Sequence, residues 1–198
     1  SYHWGKKIGI NTGELPDTNG CLIAIIRVNE GRGSLQNSGC ATGADTIRQH
    51  LYRLAVNDYP LQVIDAGDVL IGETIDETYS NLKMVMEWFL GQQILPIVIG
   101  GSQDITIGQY AGYEFLGQAV NLMVIDERID LDDQEYLPPA RTWINNIFNY
   151  DPKYLFNYAG IAYQTHFNSP EILKAIDALY FDAIRLGRLK ENIQFAEP

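Results

Sequence analysis

The stretch that most constrains what this chain can fold into is 95–131, where two short apolar runs, 95–99 and 120–125, each stop abruptly at glycine or polar residues. Both are too short for a free-standing helix and rich in β-branched side chains, so they read as strands. The first breaks at Gly100-Gly101, which predicts a buried strand ending in a tight turn. The second breaks at Asp126, Glu127, Arg128 and Asp130, and a helical segment lies between the two. Strand, helix, strand with polar groups at the strand ends predicts a βαβ unit, and open parallel sheets bind ligands beyond the carboxyl ends of their strands. These two strand ends are where chemistry is expected.

The same logic supplies the other elements. Residues 21–28 are apolar apart from Arg27, as in a strand covered on both faces of a parallel sheet. A glycine-rich segment, 29–42, leads to a helix expected to start at an N-cap Thr42, to reach about Ala55, and to carry Ile47, Leu51 and Leu54 on one stripe. A turn at 57–60 precedes a strand at 61–64, and Thr74 or Asp76 caps a long helix through Gln92 whose core face is Leu82, Val85, Met86, Phe89 and Leu90. Beyond the central unit, the acidic loop 132–139 with its Pro138-Pro139 pair is a candidate lid, 141–148 a helix and 154–162 an aromatic-rich strand. Ser169-Pro170-Glu171 starts a helix to about Leu179, and 180–189 reads as a further strand and turn. At 198 residues and 46% hydrophobic composition the chain suits one globular domain, 1–198, with an N-terminal arm at 1–20 that is extended over 6–10.

Charge narrows the function classes. Lys and Arg number 14 against 25 Asp and Glu, a formal net charge of −11, which argues against nucleic acid or an anionic membrane surface as a partner. No run approaches the roughly 18 apolar residues that span a bilayer and no signal peptide opens the chain, so a cytoplasmic protein is expected. Cys21 and Cys40, placed in a strand and a loop, lack CxxC spacing; free thiols are expected, with a disulfide the alternative. Gly31 and Gly33 lack the third glycine of a dinucleotide fingerprint and no P-loop order follows, so no nucleotide site is expected. Asp65 and Asp68 read as turn caps, Arg48 and His50 as structural or solubilising, His3 as a surface group, and Met84 and Met86 as packing residues. His166 either lines a pocket as acid, base or ligand, or occupies a turn.

At the two strand ends the chain resembles a known family. Gly100-Gly101-Ser102-Gln103-Asp104 is similar to the GGDHS motif, and Asp126-Glu127-Arg128-Ile129-Asp130 to the DAHxD motif, of the arginase, agmatinase and formiminoglutamase family, the ureohydrolases. Gly43-Ala44-Asp45-Thr46-Ile47-Arg48 resembles the GPxxIR helix start that follows the family's first glycine-rich loop. The resemblance implies an α/β fold of three layers, αβα, with a mainly parallel sheet, and a homo-oligomer. It also implies hydrolysis of a C–N bond in linear guanidino or formimino compounds by hydroxide activated on a manganese pair, releasing urea or formamide. The branch resembled most is the formiminoglutamase-like one.

In that family the two motifs supply manganese ligands; here Gln103 and Arg128 each stand where the family has a metal-binding histidine, and Asp126 and Asp130 keep ligand chemistry. A manganese pair needs carboxylate and imidazole donors with free lone pairs. A guanidinium stays protonated and accepts nothing, and a glutamine carbonyl is neutral and weaker than imidazole. Arg128 is therefore expected to replace the metal electrostatically, through charge-assisted hydrogen bonds to Asp126 or Asp130, leaving no bound manganese and no catalytic residue. Glu127 turning inward as a substitute ligand is the alternative, and manganese is implied if the site functions. Two other classes stay open. One is a binding module in which Gln103, Asp104, Asp126, Arg128 and Asp130 hold an amino acid or small acid, with Arg128 on its carboxylate. The other is an oligomeric structural protein using its 12 tyrosines at interfaces. The family's third motif, SxDxDxxDP, has no counterpart, so the chain reads as a fragment truncated at its C-terminus; the alternative is that the protein has lost those ligands and the last strands.

Overall fold

All pairings between strands are parallel among the described residues, so each connection crosses over a sheet and the amphipathic segments between strands become helices. The structure, a computed structural model, describes residues 2–56, 60, 62–132 and 136–193; parts of the expected turn at 57–60, strand at 61–64 and lid at 132–139 lie outside the described residues. The chain divides into two compact units, Ser1–Gly117 with Pro138–Ala140, and Gln118–Leu137 with Arg141–Pro198.

In the first unit a four-stranded sheet has the order β1 (Gly9–Ile10), β3 (Val63–Asp68), β2 (Ile23–Val28), β4 (Leu95–Gly100). Alternation along β2 sends Ala24, Ile26 and Val28 to one face, where they pack with Leu82, Met86 and Phe89 of α2 (Ile75–Gly91). Ile25 points the other way, toward Ile8, Val63 and Leu51 of α1 (Cys40–Leu51). Helices thus cover both faces. Thr74, not Asp76, caps α2, in a reciprocal box with Glu77. The start of α1 differs from expectation: it begins at Cys40, and Thr42 lies inside it with its hydroxyl donating to Gly39 O at 3.1 Å. Because α1 ends at Leu51, Leu54 is off the helix, and both it and Ile47 face solvent.

In the second unit a three-stranded sheet has the order β5 (Val120–Ile125), β6 (Leu155–Tyr163), β7 (Asp182–Arg185). Trp143, Ile144 and Ile147 of α4 (Pro139–Phe148) are buried, as is Tyr158 of β6. Pro139 opens α4 instead of closing the preceding loop, because a first-turn position has no N–H to lose. α5 (Pro170–Ala178) follows Ser169, whose side chain accepts from Ile172 N at 3.3 Å, and residues 186–189, expected in a turn, start α6 (Leu186–Ile193).

α3 (Thr106–Gly112) follows β4, which is an end strand of the first unit's sheet, and β5 is an end strand of the second unit's. Neither is buried on both faces: Leu95 and Ile97 are exposed, and Met123 and Ile125 are 65% and 73% exposed. Asp65 caps a turn, its Oδ1 accepting from Gly67 N at 2.9 Å, and is also a buried anchor. β3 runs on to Asp68, which places the Asp65 carboxylate inside the unit, held by Arg48 Nη2 at 2.5 Å and by the Tyr52 hydroxyl, while Arg48 Nη1 reaches Asp68 at 2.8 Å. Arg48 is therefore structural, as expected. Both cysteines are free, and among the described residues no helix is long and apolar enough to cross a membrane.

Candidate functional site

The end of β4 shows why two glycines stand there. A Cβ on Gly101 would lie 1.7 Å from the carbonyl oxygen of Glu30, and that same oxygen accepts from Ser102 N at 2.7 Å. The backbone of 101 must graze the backbone beyond β2, which only glycine permits; neither Gly100 nor Gly101 has a positive φ, so a tight left-handed turn is not the reason. Asp104 then enters the interior fully buried, and its Oδ2 accepts from the Tyr79 hydroxyl at 2.5 Å. Burial first, and this hydrogen bond to a carboxylate second, push the Tyr79 phenol well above its ordinary range. The other oxygen, Oδ1, has no hydrogen-bond partner among the described residues and faces Gly33, where a Cβ would sit 2.0 Å away. Gln103 is partly exposed and opens the short 3-10 turn Gln103–Ile105.

Sequence reasoning missed a buried charge beside this turn. Glu30 is 1% exposed and takes hydrogen bonds from Arg32 Nη2 at 2.5 Å and Thr78 Oγ1 at 3.1 Å. Burial pushes its carboxyl up, but the Arg32 and Thr78 hydrogen bonds outweigh burial and hold it below the usual range. Arg32 also reaches the carbonyls of Gly72 and Glu73, at 3.0 and 2.6 Å, tying the glycine-rich loop to the start of α2. The available signal was the Glu30-Gly31-Arg32-Gly33 order: opposite charges two residues apart between glycines, right after an apolar strand.

In the second unit the polar cluster follows β5. Asp126 Oδ1 accepts from the backbone N of Arg128 at 3.0 Å, a side-chain turn that ends the strand. Asp130 is buried; its Oδ2 accepts from Trp143 Nε1 at 3.1 Å, and Arg141 Nε stands 3.5 Å from Oδ1, an ion pair without hydrogen-bond geometry. Burial raises the Asp130 carboxyl to about 6, partly opposed by the Trp143 hydrogen bond and reinforced by the charge of Asp126. The Arg128 guanidinium does not take the place expected for it. It lies over the Phe167 ring, 5.4 Å from the centroid, and Arg141 is the arginine beside Asp130. Next to Phe167 stands Asn168. Its Oδ1 accepts from Ile129 N at 2.7 Å and its Nδ2 donates to Glu127 O and Gln164 O at 3.1 and 2.8 Å, binding the loop after β5 to the loop after β6. Glu127 is exposed, its carboxylate accepting from Gln164 Nε2 at 3.2 Å, so it does not turn inward. His166 is exposed with its ring against Phe167, in a short 3-10 turn, which is the turn reading; His3 forms an isolated antiparallel bridge with Ala55.

The structure therefore brings Asp126, Arg128 and Asp130 onto one loop and Gln103 with Asp104 onto another, each within its own unit. Among the described residues no three His, Cys, Asp or Glu side chains come together as an ion site, and the oxygens of Asp130 already face Trp143 and Arg141.

Against known proteins, the arginase family model matches residues 22–147. The formimidoylglutamase of Clostridium tetani is 26% identical over 199 residues, covering 90% of this chain and 57% of that protein. That of Lysinibacillus sphaericus is 25% identical over 180 residues, covering 88% and 55%. The chain thus spans a little over half the length of these curated relatives. Among solved structures, the Bacillus subtilis formimidoylglutamase superposes with a TM-score of 0.81 at 17% identity, over 96% of this chain and 61% of that one. The Trypanosoma cruzi formiminoglutamase with Mn2+ gives 0.75 at 18%, over 88% and 63%. At such identity the likeness shows the α/β fold.

Proposed function

The chain belongs to the arginase family, and from that premise we propose that it carries the frame of a formiminoglutamase-like amidine hydrolase around a degenerate metal centre. The observation that carries this reading is Arg128. A permanently charged guanidinium occupies the second motif where the family pattern has a metal-binding histidine, and Gln103 makes the matching change in the first. The change removes the imidazole donor that the family pattern has there, and the guanidinium that replaces it offers a metal no lone pair. The surroundings support the same reading: Asp130, which keeps a ligand's chemistry, is turned to Trp143 and Arg141 and favours its protonated form more than an exposed carboxylate does.

On this reading residues 1–198 hold no manganese pair and release neither formamide from formimino compounds nor urea from guanidino compounds. A reducing, cytoplasmic setting and a homo-oligomer belong to the same proposal, the first in keeping with two free cysteines. The test is metal analysis of protein dialysed against manganese, together with assays for formamide and urea over a panel of formimino and guanidino amino acids. Stoichiometric manganese with turnover overturns it; metal-free protein without turnover is the expected result.

A further inference from the structure

We propose that the apolar cavity between α2 and the end of β3 is a binding site for a small, neutral, flat aromatic molecule. It lies within the first unit and no residue of either motif lines it, so the inference does not rest on the preceding reading.

The cavity measures about 420 Å³, inside the range of roughly 300–1,000 Å³ typical of small-ligand sites. Its floor is Ile26, Val69 and Phe89, each at most 4% exposed. Around its mouth stand Leu15, Leu70, Met84 and Trp88, all exposed, Leu70 at 78%. Single apolar side chains on a surface need no explanation; four around one cavity mark a place that something covers. Met84, expected as a packing residue, is 59% exposed and lines this mouth instead.

The walls are fixed before anything binds. Asn81 Nδ2 donates to Leu70 O at 2.9 Å, tying the segment after β3 to α2, and Val69 N donates to Arg27 O at 2.8 Å. The Trp88 ring meets Phe89 edge-on, centroids 4.8 Å apart, which restrains the indole plane. Met84 and Trp88 are four residues apart on α2, so a thioether and an aromatic ring share one helix face.

Polarity and charge narrow the occupant. Asp68 and Asn81 are the polar side chains on the wall among the described residues, and both are engaged. Both Asp68 oxygens accept from Arg27, Arg48 Nη1 reaches Oδ1 at 2.8 Å, and Asn81 gives its Nδ2 to Leu70. Two guanidinium groups thus balance the one carboxylate, and the cavity offers an ionic ligand no unmatched charge. What remains is apolar surface with an indole and a sulfur, which favours a flat ring over a saturated one. Charge also disfavours a second copy on this face. Leu15 and Trp88 are each preceded by a glutamate, Glu14 and Glu87, and a two-fold contact gathers these carboxylates from both copies, in a chain of net charge −11.

The test is titration of residues 1–198 with indole, with its charged relatives tryptamine and indole-3-acetate, and with cyclohexanol as a saturated ring. Thermal shift and NMR of the Met84 methyl group read binding, since a ligand specific to the folded state raises its stability. Indole is expected to bind saturably and to move the Met84 signal, the other three binding at least about tenfold more weakly. Trp88→Ala weakens indole by about tenfold, the loss of an aromatic contact. Met84→Glu, at an exposed helix position that leaves the fold intact, sets a charge at the mouth and also weakens indole, read by thermal shift. Absence of saturable indole binding, or binding that both substitutions leave unchanged, overturns the proposal. Tryptamine or indole-3-acetate binding as tightly as indole overturns the neutral class, and cyclohexanol doing so overturns the aromatic one. Self-association on sedimentation that indole does not disturb and Met84→Glu abolishes assigns the face to a second copy, and overturns the proposal as well.

Discussion

Replacing Gly101 by alanine tests whether backbone proximity, rather than turn geometry or ligand chemistry, requires glycine at the end of β4. The added Cβ would stand 1.7 Å from Glu30 O, 2.6 Å from its carbonyl carbon and 2.9 Å from its nitrogen, all backbone atoms. That is roughly half an ordinary carbon–oxygen approach of about 3.3 Å, and no side chain can swing away to relieve it. The strand end must move off the β2 backbone, loosening Gly101 N to Val28 O at 3.0 Å and Ser102 N to Glu30 O at 2.7 Å. Overpacking of about 1–3 kcal/mol with one or two hydrogen bonds at about 1 kcal/mol each gives a loss of about 2–5 kcal/mol. For a chain of this size that lowers the melting temperature by about 5–20 °C. Gly43→Ala is the companion: it lies inside α1, a Cβ there meets nothing within 4 Å, and removal of a helix-interior glycine should stabilise by about 0.5–1 kcal/mol. Urea unfolding followed by circular dichroism reads both. If Gly101→Ala unfolds at the wild-type midpoint, the close approach of β4 to Glu30 is wrong, and with it the account of why two glycines follow this strand.

Other outcomes follow from single groups. Asp130 keeps its proton to about pH 6 when folded against about 3.9 unfolded, so the folded state binds more protons between these values. Stability then falls as pH rises from about 4 to about 6, by up to about 3 kcal/mol, and Asp130→Asn should flatten that slope in melts across the range. Tyr79→Phe removes the one hydrogen-bond donor found among the described residues on the fully buried Asp104, which should cost about 1–3 kcal/mol by chemical denaturation; an unchanged midpoint would mean that another donor serves this carboxylate. The Tyr158 hydroxyl is buried without a partner among the described residues, so Tyr158→Phe should be neutral or stabilising by about 1 kcal/mol, and a clear loss would reveal an acceptor that the hydroxyl reaches.

Much of this was legible in the residues themselves. The β2, β4 and β5 strands, the Thr74 start of α2 and the Ser169-Pro170 start of α5 rest on alternation and capping, which act over a few residues and leave a mark in local order. The two motif segments were equally visible, and so was the change of charge type at Arg128. What could not be read was which strand is whose neighbour. β3 and β4 are consecutive in the chain, yet β2 lies between them in the sheet, because pairing is settled by competition among all the strands and not by the connection between two of them.

Sequence alone thus determined the element types, the parallel α/β class, the family and the positions where residues depart from its motifs, all properties carried within short windows. Only the tertiary structure decided the partners of the charges: Asp65 became a buried anchor for Arg48, Glu30 found Arg32 and Thr78, and Arg128 left the carboxylates beside it for Phe167. The physical reason is range. A side chain's environment is set by residues far along the chain, as Asn168 shows by reaching across 39 residues to hold the loop of Arg128, and such a contact exists only once both loops are folded.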